Sequence, residues 1–310
     1  MVKKRPEAEP VTLTGTNYDF NQFLHFLQTD RVGFSLLSGI IKKSAGINLP
    51  VTEKNLSLMA GRLFSVLNKY DFTNYHQYHA YVLQNGQDAL IELVTRMTTN
   101  TTDFFREDAH FNFMNQVIPQ MMADKKNAVG SIKQELRIWC AVCSSGQEAY
   151  TLAMVVNELM PQFNRWKVKI LASDIDVEVL QAAIQGVYTQ EEIKNVPKSY
   201  LKKYFTVTKE GNDLKYSVVQ TLRDMIQFAS FNLIQPSYPF KHGFDIVICR
   251  NVFIYFDRET TKQVIDQFVH HLNPDGFLFL GHSESGMIKQ KDLKPVFHSV
   301  FRKSKSGGIL

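Results

Sequence analysis

The stretch from Leu136 to Met154, LRIWCAVCSSGQEAYTLAM, sets the fold of this chain. Its first residues are bulky and apolar, which is typical of a buried strand, whereas the residues from Glu148 onward have helical spacing. Between them lies the small-residue turn Cys143-Ser-Ser-Gly146. A strand that breaks at small residues and continues as a helix leaves backbone N–H groups where a polar ligand can approach. The stretch predicts half of a nucleotide-type site, although one glycine alone is a weak fingerprint.

Four further apolar runs have the character of strands, and polar residues stand at or just after the end of each. The runs are Val168–Asp174, Ile226–Phe231, Phe244–Cys249 and Phe277–Leu280, and the polar residues that end or follow them are Asp174 and Asp176, Asn232, Arg250-Asn251 and Gly281-His-Ser-Glu284. This pattern is typical of ligands bound at the carboxyl edge of a parallel sheet, where an acid after the second strand holds ribose hydroxyls. We therefore predict an α/β domain that binds an adenosyl-type ligand.

Five motifs in chain order make this prediction more specific. They are Asn100-Thr-Thr-Asp-Phe-Phe-Arg106, Cys143-Ser-Ser-Gly-Gln-Glu148, Ala172-Ser-Asp-Ile-Asp176, Cys249-Arg-Asn-Val-Phe-Ile-Tyr-Phe256 and Gly281-His-Ser-Glu284. Together they resemble the CheR-type chemotaxis methyltransferases, over roughly residues 20 to 302. The resemblance implies a Rossmann-like class I methyltransferase domain with a mostly parallel sheet and a small inserted β-subdomain, preceded by a small all-α domain. It also implies a protein-glutamate O-methyltransferase that moves a methyl group from S-adenosylmethionine to chemoreceptor glutamates and releases S-adenosylhomocysteine.

The resemblance assigns roles to individual residues. Arg106 is expected to orient the acceptor carboxylate, since a guanidinium can hold a carboxylate with two hydrogen bonds, and Tyr255 is expected beside the methyl group. These two are the expected catalytic residues. The residues expected at the cofactor, with Asp174 on the ribose, are Asn100, Thr102, Arg106, Gly146, Glu148, Asp174, Asn232, Leu233, Arg250 and Asn251. No metal is expected, because Cys140-x-x-Cys143 lacks a second pair and His76-x-x-His79 lies in an aromatic, helical stretch.

Taken singly, three of these positions also have structural interpretations. Thr102 or Asp103 could cap a helix, Asp174 could be an N-cap, and Glu148 could be an acid in the first turn of a helix, where the dipole favours it. At successive strand ends, however, a shared site is the better interpretation.

Three departures from the family pattern leave other functions open. Val142 replaces a usual glycine, Gln147 a glutamate and Ala149 a common proline, and a β-branched residue at a tight turn restricts the backbone. A non-catalytic protein that binds a ligand or partner is therefore one alternative. The basic pI of about 8.9 also allows a methyltransferase that acts on nucleic acid or a small molecule.

The domain organisation follows from the same patterns. We predict a tail at 1–18, a helical domain at 19–98, a connecting segment at 99–135, a methyltransferase domain at 136–303 and a tail at 304–310. Within that domain, alternation around Gly211-Asn212-Asp213 predicts a hairpin in a β-subdomain at about 187–223, after a polar helical run from Glu191 to Tyr204. The short hairpin loop predicts docking on the helical bundle of a receptor without a tether to the receptor's terminal peptide.

The composition limits the class of protein to which this chain can belong. A chain of 310 residues with 44% apolar residues is large enough for two modest cores. No apolar run approaches the roughly 20 residues that span a bilayer, so we expect membrane contact only through the receptor. Three cysteines fit a reduced, cytoplasmic setting, and a net charge of +5 permits an acidic partner without requiring nucleic acid. We expect a monomer.

Overall fold

The computed structural model describes residues 20–128, 135–159 and 166–304. The predicted tail at 1–18 lies outside these residues, as does the predicted tail at 304–310 apart from Ser304. Within the described residues the chain forms two compact units, one of residues 20–42 and 49–97 and the other of residues 43–48 and 98–304. None of the described helices combines the length and apolar character that a membrane crossing requires.

The first unit is helical. Its helices are α1 (Phe20–Thr29), α2 (Arg31–Ala45, which continues past the unit boundary), α3 (Glu53–Lys69) and α4 (Tyr75–Met97). The Thr52 side chain caps α3 by accepting the Asn55 N–H at 3.2 Å. Gly86, with φ 65° and ψ −135°, makes a kink within α4. The apolar residues Leu56, Met59, Leu63 and Val66 of α3 are buried at helical spacing.

The second unit carries the remaining elements. Its helices are α5 (Asp108–Ala128), α6 (Gln147–Leu159), α7 (Val177–Gln185), α8 (Lys198–Tyr204), α9 (Gln220–Arg223) and α10 (Arg258–His271), with 3₁₀ helices at Phe253–Tyr255 and His282–Met287. Its strands are β1 (Glu135–Cys140), β2 (Lys167–Asp174), β3 (Val187–Thr189), β4 (Phe205–Glu210), β5 (Asp213–Val218), β6 (Ile226–Ser230), β7 (Phe244–Cys249), β8 (Leu272–Leu280), β9 (Leu293–Phe297) and β10 (Val300–Lys303).

Seven of these strands form one sheet in the order β6-β2-β1-β7-β8-β10-β9. The first five are parallel to one another, and β10 runs antiparallel to both β8 and β9. This confirms the mostly parallel sheet. The sheet is buried on both faces: Ile138 of β1 packs with α5 and α6, and its neighbour Trp139 packs with Phe268 of α10.

The inserted β-subdomain is a three-stranded sheet in the order β3-β5-β4. Glu210 pairs with Asp213, so the predicted hairpin is confirmed, with Gly211-Asn212 as its two-residue turn. The predicted helical run from Glu191 to Tyr204 is too long, because only α8 is helical and residues 190–196 form turns. Pro197 precedes α8, and a proline disfavours helical backbone angles in the residue before it.

Alanine substitutions at two glycines, Gly146 and Gly211, would show how tightly the turn after β1 is packed. Gly146 has φ +97°, and an added Cβ would lie 2.8 Å from Tyr188 Oη and 3.1 Å from Ala183 Cα. Gly211 has φ +62° but open space around it. We predict that Gly211→Ala lowers the free energy of unfolding by about 1–2 kcal/mol through backbone strain. Gly146→Ala should cost a further 1–3 kcal/mol, roughly, because the contact is steric.

Urea denaturation of both variants and the parent measures these costs. Equal losses in the two variants would show that Tyr188 and Ala183 do not enclose Gly146.

Candidate functional site

The carboxyl ends of the parallel strands meet at one edge of the large sheet. Cys140, at the end of β1, pairs with Ala172 of β2 and with Ile248 of β7, and Asp174 pairs with Ser230 of β6. From β1 the chain adds β2 and β6 on one side of the sheet, and then β7 and β8 on the other side of β1. The strand order therefore reverses between β1 and β7. Open α/β sheets bind ligands at such a reversal. The loops 141–146 and 250–255 flank it.

The turn after β1 has left-handed backbone at Ser144 (φ 48°) and Gly146 (φ 97°). Tyr188 Oη donates to Ser145 O at 2.7 Å and holds the turn against the β-subdomain. Val142 is not among the residues with positive φ, and its side chain packs on the apolar cluster around Trp139. The restriction expected from a β-branched residue therefore does not arise, because the strained angles fall on Ser144 and Gly146.

Asp174 links the turns after β1 and β2. Its side chain is 3% exposed, and its two oxygens accept the Ser144 N–H at 2.8 Å and the Asp176 N–H at 3.0 Å. Burial raises the pKa of Asp174 to about 6, although these N–H groups oppose the rise. The capping interpretation of Asp174 is wrong, because Asp176 caps α7 by accepting the N–H groups of Glu178 and Val179.

Asn100 joins the connecting segment to this edge. Its Nδ2 donates to Asp176 Oδ2 at 2.7 Å, and its carbonyl accepts the Ser144 hydroxyl at 3.0 Å. Thr102 follows, half-buried. The alternative in which Thr102 or Asp103 caps a helix is wrong, because α5 begins only at Asp108.

Arg250, just after β7, is 7% exposed and has three polar partners. Its Nε donates to Glu148 Oε2 at 2.5 Å, and its Nη1 donates to Arg106 O at 2.7 Å and lies 3.4 Å from Glu107 Oε2. Glu148 lies in the first turn of α6, as expected, and its other oxygen accepts the Cys140 thiol at 3.3 Å. A buried guanidinium thus fixes the main chain at Arg106.

Arg106 lies between two residues with left-handed backbone, Phe105 (φ 55°) and Glu107 (φ 57°). Such angles cost about 1–3 kcal/mol each and persist only where the surroundings hold them. Here the Phe105 N–H donates to Thr151 Oγ1 at 3.2 Å, in addition to the bond from Arg250. The Arg106 side chain is half-buried, and its Nη1 donates to Thr101 O at 2.9 Å.

Glu284 organises the loop after β7. It is fully buried and accepts the N–H groups of Gly281 at 2.8 Å, Asn251 at 3.0 Å and Phe253 at 2.8 Å. Burial raises the pKa of Glu284. Asn251 has φ 60°, which this bond holds in place. Sequence reasoning quoted Glu284 in a motif but gave it no role; its position directly after β8 was the available signal.

Residues 43–48 were also missed. The Asn48 N–H donates to Tyr255 O at 2.7 Å, and Ser44 O accepts Asn232 Nδ2 at 2.6 Å. Tyr255 is half-buried in the 3₁₀ helix, and Leu233 is buried, with its carbonyl bonded to Tyr238.

The structure thus arranges the predicted residues in three groups. Asn100, Gly146 and Asp174 lie around the β1 turn, Arg106, Glu148 and Arg250 form a second group, and Asn232 and Tyr255 bond residues 43–48. Leu233 follows Asn232 in the chain and is buried. Asn251 is held by Glu284.

Comparisons with known proteins agree with this architecture. A family model described as "CheR methyltransferase, SAM binding domain" matches residues 100–301. A chemotaxis protein methyltransferase from Borreliella burgdorferi is 38% identical over 93% of this chain and 100% of its own length. One from Escherichia coli (strain K12) is 35% identical over 81% of this chain and 84% of its own. Chemotaxis protein methyltransferase 2 from Pseudomonas aeruginosa is 33% identical over 91% and 95%.

Among solved structures, an rRNA methylase from Streptococcus thermophilus aligns with a TM-score of 0.32 at 10% identity, over 56% of this chain and 89% of that one. This likeness is too slight to bear on function.

The buried ion pair between Arg250 and Glu148 should contribute far more to the free energy of unfolding than an exposed ion pair does. Removing one partner leaves an uncompensated buried charge, so we predict that Glu148→Gln and Arg250→Ala each lower the free energy of unfolding by about 3–5 kcal/mol. As a control, Lys262 pairs with Asp266 on the exposed side of α10, and Lys262→Ala should cost under about 0.5 kcal/mol. Chemical denaturation measures all three. A loss in Glu148→Gln no larger than in Lys262→Ala would contradict the prediction.

Proposed function

Because the chain belongs to the CheR methyltransferase family, with its S-adenosylmethionine-binding domain at residues 100–301, we propose that it methylates glutamate side-chain carboxylates of methyl-accepting chemotaxis receptors. The product would be a glutamate methyl ester. The observation that carries this proposal is the 38% identity to a chemotaxis protein methyltransferase over that relative's whole length. The ordered motifs at the sheet edge support it.

The residues present fit the cofactor. Each Asp174 oxygen accepts one backbone N–H, and a carboxylate has about four lone-pair sites, so acceptor capacity remains for two ribose hydroxyls. Asn232 and Leu233 follow the neighbouring strand β6, where an adenine ring would lie. Asn100, Thr102, Gly146, Glu148, Arg250 and Asn251 complete the proposed cofactor site, some by contact and some, such as Glu148 and Arg250, by holding the surrounding main chain.

The chemistry needs alignment more than acid–base assistance. When bound, S-adenosylmethionine supplies a methyl group already activated by its sulfonium. A glutamate carboxylate is anionic at neutral pH, so no strong base is required. Arg106 would hold that carboxylate, with a guanidinium of five N–H groups of which Nη1 also bonds Thr101. Tyr255, fixed through its carbonyl to Asn48, would shape the approach to the methyl group.

Transfer of radiolabelled methyl to membranes that contain the host's chemoreceptors tests the reaction. We expect label on the receptor that mild alkali releases, since methyl esters hydrolyse readily. Alkali-stable label, or label on nucleic acid, would overturn the proposal.

Arg106→Ala should reduce the turnover rate by more than about 100-fold, the scale of effect that mispositioned reactants produce. Its fold should persist, because Arg250 bonds the carbonyl of residue 106 rather than its side chain. Arg302→Ala is the matched control and should keep full activity. It removes an exposed arginine on β10 that pairs with Asp275 of β8. Full activity in Arg106→Ala, with circular dichroism unchanged, would remove Arg106 from the mechanism.

Cofactor affinity should depend on the charge of Asp174. With a pKa of about 6, the carboxylate becomes protonated as the pH falls through 6 and loses acceptor strength. The affinity for S-adenosylhomocysteine, measured by calorimetry between pH 5 and 8, should therefore weaken below about pH 6 and level off above pH 7. Asp174→Asn should bind weakly, without this inflection. The same inflection in that variant would assign it to another group.

The raised pKa of Asp174 also determines how its charge affects the stability of the fold. Because the pKa exceeds the unfolded value of about 3.9, the charged form of Asp174 costs folding free energy, and this cost is fully present above about pH 6 and absent below about pH 4. Weaker binding at pH 5 is therefore not explained by the loss of an Asp174 contribution to the fold.

A further inference from the structure

Three potential metal ligands meet behind the Arg106 turn. Glu107 Oε2 lies 3.6 Å from His110 Nδ1 and 3.8 Å from His282 Nε2, and the ligand atoms of all three residues lie within 4.8 Å of one another. Glu107 precedes α5, His110 is in its first turn, and His282 begins the 3₁₀ helix after β8. Sequence reasoning predicted no metal and did not connect these three residues, which are up to 175 positions apart.

His110 has an unsatisfied nitrogen aimed into this cluster. The residue is 1% exposed, and its Nε2 lies 3.0 Å from the carbonyl oxygen of His298. A carbonyl only accepts, so Nε2 carries the proton and Nδ1 presents a lone pair. Nδ1 is buried without a hydrogen-bond partner, and a carboxylate oxygen of Glu107 faces it at 3.6 Å. Two facing lone pairs are unfavourable unless a cation lies between them.

We propose that Glu107, His110 and His282 form a binding site for a divalent transition-metal ion, with zinc as the best match. Two imidazole nitrogens and one carboxylate are a donor set that zinc accepts, at about 2.0–2.2 Å from each atom. Tetrahedral ligands at that distance are about 3.4 Å apart, close to the two measured separations.

The surroundings support the site. A metal-bound histidine usually donates its other ring N–H to a carbonyl or carboxylate, as His110 does to His298. The His282 side chain is 42% exposed, so it can turn toward the ion and leaves an open coordination position. Burial and the nearby Arg250 charge lower the pKa of His110 to about 4, which keeps the imidazole neutral.

Occupancy would join α5 to the 3₁₀ helix that carries Glu284. Glu107 also lies 3.4 Å from Arg250 Nη1, so its carboxylate would be shared between the ion and the guanidinium that holds the Arg106 carbonyl. The site is thus placed to tighten the Arg106 turn.

Titration of the metal-free full chain with Zn²⁺, against a chromophoric chelator, tests the site. We expect one equivalent to bind, and affinity to fall at least about 10-fold in His282→Ala and in Glu107→Gln. His242→Ala removes an exposed histidine outside the cluster and should bind as the parent does. Zn²⁺ should also raise the melting temperature of the parent and of His242→Ala but not of His282→Ala.

The proposal is overturned if the parent does not bind Zn²⁺. It is also overturned if Glu107→Gln and His282→Ala bind Zn²⁺ with the same affinity as the parent. Co²⁺ provides an independent readout, because cysteine ligation gives a thiolate charge-transfer band that nitrogen and oxygen ligands do not. Such a band would place the metal on the three buried cysteines instead.

Discussion

The Arg250 guanidinium, buried at the end of β7, is the interaction on which the site depends. A charge in a protein interior is costly unless it is paired and its hydrogen bonds are satisfied. Arg250 meets this requirement only when Glu148 of α6 and the carbonyl of Arg106 are both in place. Three segments distant in sequence are therefore assembled together. The left-handed backbone on both sides of Arg106 persists because this network holds it.

Two buried carboxylates act in the same way on the other loops. Asp174 accepts N–H groups from the turns after β1 and β2, and Glu284 accepts N–H groups from the loops after β7 and β8. Each carboxylate thus fixes main chain rather than a single side chain. A site built from such bonds is organised before a ligand arrives, which reduces the entropy that binding must overcome.

The sequence predicted those parts of the fold that depend on local patterns. Apolar runs that end in polar residues located the parallel strands, and Gly211-Asn212 located the hairpin. Sequence reasoning missed β9, which contains Pro295. It missed the roles of Glu284 and of residues 43–48, because these arise from contacts between residues far apart in the chain. Most of the residues taken from family resemblance lie in the loops at this sheet edge, yet the partners that hold them could not be predicted from their spacing in the sequence.

One feature of the Arg250 network bears on how such a protein changes over generations. The guanidinium bonds the carbonyl of residue 106, an atom that every amino acid possesses. Replacing the side chain at this position leaves the Arg250 bond in place and removes only the side-chain bond to the Thr101 carbonyl. A point mutation there therefore changes the side chain that the loop presents without removing the main-chain bond that shapes the loop.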